Sequence, residues 1–328
     1  MSEVASAAGV SAMTVSRVLR TPDKVSRETS ERVEAAIRQL GYVRDEAAGA
    51  LASRRSRIVG ALVSTLGGSV FASTVDGLSQ TLREAGYQLL LATTNYTPQI
   101  EADVIAAILA RRPDGLVLTS TEHTAAANNL LRGAGIPIVE LWELPKKPID
   151  SAVGFSNRAA GRAMTEFLAA SGRRRIGFIG RSAVSDTRGQ MRRAGYEDAL
   201  AQLRRAPRIA TPDGLGMDDP RAGAVGLAEI LAQWKDTDAV FCASDSVALG
   251  ALSEARRRGI AVPHDVAIAG FGDFEMASEH GLGLTTVRVP GFSIGAEAAQ
   301  VVLRRGEAKA PGKRVIDLGF EIVRRMTA

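Results

Sequence analysis

Charged side chains in the second half of the chain have the chemistry to hold a small polar ligand. Asp245 in CASDSVALG ends an apolar run and begins a helical pattern. Its carboxylate can accept two hydrogen bonds from a vicinal diol, although a plain helix N-cap is a good competitor there. Arg192 in RRAGYEDAL carries a guanidinium that can clamp a carboxylate or phosphate. Arg188 and Arg193 lie close to it, so the sequence leaves open which of these arginines faces a ligand.

Aromatic and polar residues follow two other apolar runs. In VELWELP, the indole of Trp142 can stack on the apolar face of a sugar while Glu140 binds hydroxyl groups, or both residues can pack in a core. In GFSN, Ser156 and Asn157 can donate to a ligand or cap the following helix. Each pair therefore has a binding interpretation and a structural one.

Motifs for enzymatic catalysis are missing from the sequence. It contains no P-loop, no Gly-x-Ser-x-Gly elbow, no metal-spaced His and Cys, and no Rossmann glycine fingerprint. Three histidines and one cysteine leave few candidates for metal or Cys/His catalysis. Glu122 and His123 are further ligand candidates, though a lone histidine is more often structural. These patterns favour a binding protein without a cofactor or metal over a sugar-modifying enzyme.

A different chemistry is indicated near the start, in GVSAMTVSRVL. Val15, Val18 and Leu19 form an apolar stripe at helical spacing. The opposite face carries small, polar or basic residues: Ser11, Met13, Thr14, Ser16 and Arg17. Gly9 supplies a turn after an Ala-rich run, and Ser11 can cap the next helix. The pattern predicts a helix-turn-helix with one face free for contact.

Composition is consistent with a protein of more than one domain. With 328 residues, 45% of them apolar, the chain can bury a large core. Its net charge is +5, and the first 57 residues hold ten basic against seven acidic side chains. This balance suits a polyanionic partner or an ordinary solvated helical surface. The single Cys242, with no recognisable signal peptide or membrane-spanning run, predicts a cytoplasmic protein.

Helices and strands predicted from the sequence pattern must position these residues. Helical spacing is found at 3–8, 12–20 and 29–40. Beyond residue 57 the apolar runs RIVGALVS, YQLLLAT, DGLVLTS, IPIVEL, RRIGFIG, DAVFCAS and DVAIAGF predict buried parallel strands, each followed by a helical stretch. This alternation predicts doubly wound α/β units, and its length favours two lobes with a ligand cleft between them.

The head VASAAGVSAMTVSRVLRTPDKVSRETSERVEAAIRQLGY resembles the DNA-binding domain of the lactose-repressor family of bacterial transcription factors. The resemblance covers the whole chain and implies a small all-α head (1–43), a linker with a hinge helix (44–57) and a core similar to periplasmic sugar-binding proteins (58–328). It places lobe one at about 58–156 and 284–314, and lobe two at about 157–283 and 315–328. Within the family, DAVFCASDSVALGA and VPHDVAIAGFGD are most similar to the gluconate-operon repressors.

The resemblance also implies roles for residues that contact DNA. Ala12, Met13 and Arg17 occupy base-reading positions of a recognition helix, where Arg17 can pair with guanine and the two apolar residues can touch a thymine methyl. Ser11 lies at the helix start, and Thr14 and Ser16 can bind phosphates. A hinge helix at Asp45–Ala52 is implied to insert Leu51 into the minor groove, while a flexible linker is the alternative. Arg54 and Arg55 can contact phosphates in either case.

For the core, the resemblance implies an effector pocket. Its residues are Val70, Phe71, Glu140, Trp142, Ser156, Asn157, Arg192 and Asp245. A homodimeric repressor released from its operator by gluconate or a related sugar acid is the implied function. A sensor of a neutral sugar or a phosphorylated sugar acid is the alternative.

Overall fold

The computed structural model describes residues 1–42, 55–66, 71–181, 186–215, 219–278, 281–305 and 314–328. The chain divides into two units, Met1–Ser56 and Arg57–Ala328. The predicted hinge helix with Leu51, the linker residue Arg54 and the predicted pocket residue Val70 lie outside the described residues.

The described part of the first unit consists of short helices. These are α1 (Ser2–Ala8), α2 (Ala12–Arg20) and α3 (Arg27–Leu40), with a 3-10 turn at Pro22–Lys24. Gly9 ends α1 at φ 61°, a left-handed conformation that favours glycine. Ser11 caps α2 by accepting a hydrogen bond from the Thr14 N–H at 3.1 Å. The apolar stripes meet in a core of Val4, Ala5, Ala8, Val15, Val18, Val33 and Ala36. The sequence prediction of a helix-turn-helix is confirmed.

The first lobe of the second unit is built on a parallel sheet. Its strands are β1 (Ile58–Val63), β2 (Gln88–Thr93), β3 (Gly115–Leu118), β4 (Ile138–Leu141), β5 (Ser151–Gly154) and β11 (Val315–Asp317). They lie in the order β11-β5-β4-β3-β1-β2. The helices of this lobe are α4 (Ala72–Glu84), α5 (Pro98–Leu109), α6 (Ala125–Gly133) and α11 (Gly291–Arg305).

The second lobe repeats this plan. Its strands are β6 (Ile176–Ile179), β7 (Arg208–Ala210), β8 (Ala239–Cys242), β9 (Ala267–Gly272), β10 (Thr285–Arg288) and β12 (Glu321–Val323). Their order is β12-β10-β9-β8-β6-β7, parallel except for β12 against β10. The helices are α7 (Asn157–Ala170), α8 (Thr187–Gln202), α9 (Pro220–Gln233) and α10 (Asp245–Arg257), and a 3-10 turn spans Glu275–Ala277. Both lobes are doubly wound, so the α/β prediction is confirmed.

The crossings between the lobes correct the predicted lobe boundaries. The first crossing follows β5, close to the predicted Ser156. β10 pairs with β9 and β12, so the second crossing comes after Arg288 instead of at 283/284. β11 pairs with β5, so the third crossing comes after Asp317 instead of at 314/315. In both places strand pairing keeps one more short strand in its lobe than the boundaries implied by the resemblance.

Close helix pairs cover the sheets, and glycines permit the close approach. A Cβ on Gly161 of α7 would lie 2.0 Å from the Arg192 carbonyl oxygen of α8, and one on Gly195 of α8 would lie 2.0 Å from the Arg158 oxygen. The same reciprocal arrangement joins α4 to α11 through Gly77 and Gly295, and α9 to α10 through Gly223 and Gly250. The α7–α8 contact therefore fixes the backbone that carries Arg192.

Candidate functional site

The outward face of α2 is a candidate contact surface in the first unit. Val15 and Val18 are buried, which orients the helix. Ser11, Ala12, Met13 and Arg17 are exposed, and Thr14 and Ser16 are half-buried. Met13 is 69% exposed, an unusual state for a large apolar side chain. The surface thus offers the Arg17 guanidinium, small hydroxyl groups and the apolar tip of Met13. Arg55, at the end of this unit, is also exposed.

A cavity lies between the two lobes, at the carboxyl ends of their strands. Its position is that of a small-molecule site in open parallel sheets. The lining residues are Phe71, Tyr96, Trp142, Gly180, Arg181, Asp186, Arg188, Arg192, Ala243, Ser244, Val247, Phe271 and Phe274. We refer to this space as the effector cavity.

Aromatic side chains form the apolar wall of the effector cavity. The rings of Phe71 and Trp142 meet edge to face, with centroids 5.0 Å apart. The Trp142 Nε1–H donates to the Thr74 Oγ1 at 3.1 Å, which fixes the indole. Phe271 and Phe274 extend the wall from the second lobe. The predicted pocket positions of Phe71 and Trp142 therefore face the same cavity.

Three arginines form the polar wall. The Arg192 Nη1–H donates to the Asn157 Oδ1 at 2.6 Å, and its guanidinium carbon lies 4.1 Å from the Phe271 ring centroid. Arg188 donates to the Thr119 carbonyl oxygen, and Arg181 donates to the Leu215 carbonyl oxygen. Arg193, which was left open as an alternative, pairs with Glu197 and does not line the cavity.

Two of the three arginines in this wall have partners other than carboxylates in the described residues. Within the described parts of the chain, neither Arg181 nor Arg188 has an Asp or Glu oxygen within 4 Å. The carboxylate that lines the described cavity is Asp186, which caps α8 by accepting from the Gly189 N–H at 2.9 Å. The effector cavity is therefore a positively charged site with aromatic walls, suited to a small anion.

Asn157 and Ser156 lie beside the cavity without lining it. The Asn157 Nδ2–H donates to the Trp142 carbonyl oxygen at 2.7 Å, while its Oδ1 accepts from Arg192. This fully buried amide thus ties the Arg192 guanidinium to the backbone of Trp142. The Ser156 Oγ caps α7 by accepting from the Ala159 N–H at 3.1 Å. Ser156 therefore has the capping role considered for this pair, whereas the Asn157 amide bonds to Arg192 and to the Trp142 backbone.

Asp245 does not reach the cavity, contrary to the sequence prediction. Its oxygens accept from the Thr286 Oγ1 at 2.6 Å and from the Phe274 N–H at 2.9 Å, and it is 1% exposed. Burial raises its pKa to about 6. Ser244, one residue earlier, caps α10 and lines the cavity in its place. Asp245 therefore holds the backbone of the loop that carries Phe274.

Glu140 also lies away from the effector cavity. Its Oε2 accepts from the Ile149 N–H at 2.6 Å, and its Oε1 lies 3.5 Å from the His123 Nε2. The other ring nitrogen, Nδ1, is 2.7 Å from the Glu101 Oε1. Burial lowers the pKa of His123, but contacts with the two carboxylates outweigh this and raise it to about 9. His123 is a buried, charged link among α5, β4 and the segment before α6. In the described residues no three His, Cys, Asp or Glu are arranged to hold a metal.

The backbone conformation at Trp142 explains why the prediction that Glu140 also lines the cavity was wrong. Strand alternation puts Ile138 and Glu140 on one face of β4, and Val139 and Leu141 on the other. Trp142 has φ 70°, which breaks the alternation and turns the indole toward the second face. Two side chains two residues apart therefore point to opposite sides of the sheet.

Sequence reasoning missed several lining residues. Arg181, Ser244 and Phe274 each follow the carboxyl end of a strand in the second lobe, and Tyr96 follows β2 in the first. Their positions after apolar runs were the available signal. Arg181 directly follows RRIGFIG, and it was not singled out because no spacing pattern connects it to Arg192.

Comparisons with known proteins agree with this architecture. A family model described as bacterial regulatory proteins, lacI family, matches residues 1–45, and a periplasmic binding protein-like domain matches residues 165–328. The HTH-type transcriptional regulator GntR of Pseudomonas aeruginosa is 37% identical over 99% of this chain and 94% of its own length. The HTH-type transcriptional regulator IdnR of Escherichia coli is 34% identical over 98% of this chain and 96% of its own.

The chain belongs to the lacI family of bacterial regulatory proteins. A solved structure of a lacI-family transcriptional regulator from Silicibacter pomeroyi is 33% identical, with a TM-score of 0.88 over 99% of this chain and 98% of that one. This lacI-family chain is a DNA-binding transcriptional regulator, and its named relatives are regulators rather than enzymes. Every helix in the described residues is too short or too polar to cross a bilayer.

Proposed function

We propose that this regulator is a homodimeric repressor of genes for the uptake or catabolism of a sugar acid of the gluconate type. The sugar acid binds in the effector cavity and lowers operator affinity. The observation that carries the proposal is the charge of the cavity, where three guanidinium groups face one capping carboxylate in the described lining. The likeness to relatives named GntR and IdnR is consistent with it.

Different residues of the cavity bind different parts of the proposed ligand. Arg192 binds the carboxylate, because Asn157 and the Phe271 ring already hold its guanidinium at the cavity wall. The rings of Trp142 and Phe71 pack against the carbon chain. Ser244 offers a hydroxyl group to the polyol. Asp245 acts indirectly in this proposal, since it holds the loop of Phe274.

A neutral sugar and a phosphorylated sugar acid are the competing ligands. A neutral sugar would leave the charges of Arg181 and Arg188, which are half-buried and pair with no carboxylate in the described residues, without a counter-charge, which is costly. A phosphorylated acid would satisfy them as well as a simple acid does. Isothermal titration compares the affinities for gluconate, glucose and a phosphorylated sugar acid. We expect gluconate to bind more tightly than the other two.

The route from ligand to DNA is a change in lobe arrangement. A ligand that binds one arrangement better shifts the population toward it. That shift controls operator affinity only through the predicted linker, residues 44–57, which connects the two units. Two recognition helices in a homodimer read the two halves of a palindromic operator.

Operator binding with and without gluconate tests the proposal. Fluorescence anisotropy on a palindromic fragment from upstream of the gene is measured at fixed salt, since phosphate contacts make affinity strongly salt-dependent. We expect specific binding that gluconate weakens, and Arg192→Ala should abolish the gluconate response while Arg193→Ala retains it. Specific binding that is indifferent to gluconate contradicts the effector assignment. Binding without sequence preference contradicts the repressor assignment.

A further inference from the structure

Arg188 spans the two lobes of the core. It belongs to the first turn of α8 in the second lobe, yet its Nη1–H donates to the Thr119 carbonyl oxygen at the end of β3 in the first lobe. Its Nη2 lies 3.5 Å from the Ser64 Oγ at the end of β1. Ser64 and Thr119 are buried and bonded to each other, with the Ser64 N–H donating to the Thr119 Oγ1 at 2.9 Å. Arg188 therefore joins the first turn of α8 to the ends of β1 and β3 in the opposite lobe.

The same side chain separates two spaces in the cleft. On one side is the effector cavity, where the Arg188 guanidinium carbon lies 5.0 Å from the Phe71 ring centroid. On the other side is a chamber rich in hydroxyl groups. Its lining includes Ser64, Thr94, Thr97, Ser120, Thr124 and Thr187. A ligand entering either space meets Arg188.

The oxygens that Arg188 contacts are weak partners for a cation. In the described residues they are a carbonyl and a hydroxyl oxygen, with no Asp or Glu oxygen within 4 Å. Hydrogen bonds between a guanidinium and a carboxylate are roughly twice as strong as bonds to neutral groups. An anion in the effector cavity therefore competes favourably for this side chain.

We propose that Arg188 is an interlobe latch that an anionic effector captures. Without ligand it joins α8 to the ends of β1 and β3, and with a sugar acid bound it turns from the Thr119 carbonyl to the carboxylate. This inference rests on the proposed sugar-acid effector and adds the residue that couples its charge to the contact between the lobes. A neutral ligand leaves the latch closed, so Arg188 also selects for anions.

Two substitutions at Arg188 separate the need for a charged hydrogen-bond donor from the need for a planar guanidinium. Arg188→Met retains the length of the side chain but has no donor and no charge. Arg188→Lys retains a donor and the charge but loses the planar fork. Arg193→Met is the matched control, because Arg193 lies on the same helix and pairs with Glu197 outside the cavity.

Two measurements are made on the full-length chain carrying Trp234→Phe, which leaves Trp142 as the only tryptophan. Acrylamide quenching of Trp142 reports how open the cleft is, because the indole lies in the cavity wall and is 3% exposed. Isothermal titration gives gluconate affinity. We expect Arg188→Met to raise quenching without ligand and to weaken gluconate binding roughly ten- to a hundredfold. Arg188→Lys should keep quenching low and lose less affinity, and the control should match the parent.

The outcomes separate the latch from the effector assignment. Unchanged quenching in Arg188→Met overturns the latch, and unchanged gluconate affinity in that variant overturns capture by the ligand. If the parent chain binds no gluconate, the proposed effector is wrong, and raised quenching in Arg188→Met still supports the latch. If both Arg188 variants and the Arg193 control change together, Arg188 has no special role.

Discussion

Arg17 is exposed on the outward face of α2, and its guanidinium can pair with the two acceptors of guanine in the major groove. A base contact of this kind contributes to binding of the operator but little to binding of other DNA. We expect Arg17→Ala to weaken operator binding about ten- to a hundredfold, with a much smaller loss on random-sequence DNA. Anisotropy at fixed salt on both fragments measures the difference.

Arg27→Ala is the control for Arg17, because Arg27 is exposed on α3 and pairs with Glu31. It should leave the ratio of specific to random-sequence affinity unchanged. An equal loss on both fragments in Arg17→Ala would instead make Arg17 a phosphate contact.

His123 makes the stability of the core depend on pH. Its pKa is raised to about 9 by Glu101 and Glu140, above the ordinary value of 6.5. A raised histidine pKa stabilises the folded chain fully below pH 6.5, and this contribution is lost as pH rises through 9. The contribution is on the order of 3 kcal/mol. We expect the free energy of unfolding of the parent, measured with urea, to exceed that of His123→Gln by less at pH 9.5 than at pH 6.5.

His264→Gln controls for the general effect of losing a histidine, since the His264 side chain is 89% exposed. Its difference from the parent should be small at both pH values. A His123→Gln difference that stays constant between pH 6.5 and 9.5 would show that the ring is not charged in the folded chain.

For single residues, the sequence predicted which side chains could bind a ligand better than it predicted which of them point into the cavity. Arg192, Trp142 and Phe71 line one cavity as predicted, because strand ends in parallel sheets gather at one edge. Asp245 and Glu140 have the right chemistry but point into the protein. Strand alternation turns Glu140 away from the cavity, and hydrogen bonds from Thr286 and the Phe274 N–H hold Asp245 inside, and apolar patterning contains neither.

Among the elements, the α7–α8 pair determines where Arg192 lies. Gly161 of α7 touches the backbone of Arg192, so an added methyl group must push the helices apart. We expect Gly161→Ala to lower the free energy of unfolding by about 1–3 kcal/mol and also to weaken gluconate binding, because it displaces the backbone of Arg192. Urea unfolding and isothermal titration measure the two effects.

Gly133 provides a matched control, since it ends α6 and a Cβ there would meet no heavy atom within 4 Å. Gly133→Ala should be neutral or slightly stabilising. If Gly161→Ala loses stability but binds gluconate with full affinity, the α7–α8 spacing does not set the position of Arg192.

Strand prediction succeeded where apolar residues form a continuous run and failed where polar residues interrupt a short strand. All seven predicted runs form strands, because parallel strands covered on both faces are nearly continuous in apolar residues. β5 lies just before the GFSN segment, where the sequence indicated another apolar run, whereas the sequence missed β7, β10, β11 and β12, which span three or four residues. In β10, β11 and β12 the sequences TTVR, VID and EIV mix polar and apolar residues, as edge or next-to-edge strands do. The pairing of these last three strands sets the second and third crossings between the lobes. The lobe boundaries implied by the resemblance come too early at both.

For the whole molecule, separate hydrophobic cores predict separate unfolding. The core of the first unit consists of residues from α1, α2 and α3, while the described lining of the effector cavity belongs to the second unit. A ligand stabilises the folded state to which it binds, by about 2.7 kcal/mol at a hundred times its dissociation constant. Differential scanning calorimetry with gluconate should therefore raise the midpoint of the second unit by roughly 5–10 °C and leave that of the first unchanged.

Glucose at the same concentration is the control that links this measurement to charge. It matches gluconate in carbon number and hydroxyl groups but lacks the carboxylate, so it cannot satisfy Arg192 and Arg188. We expect no shift of either transition with glucose. Equal shifts with both ligands would make the polyol the recognised group and the arginine wall incidental. A shift of both transitions with gluconate would show that the two units unfold together, and the linker would then transmit stability as well as the proposed signal.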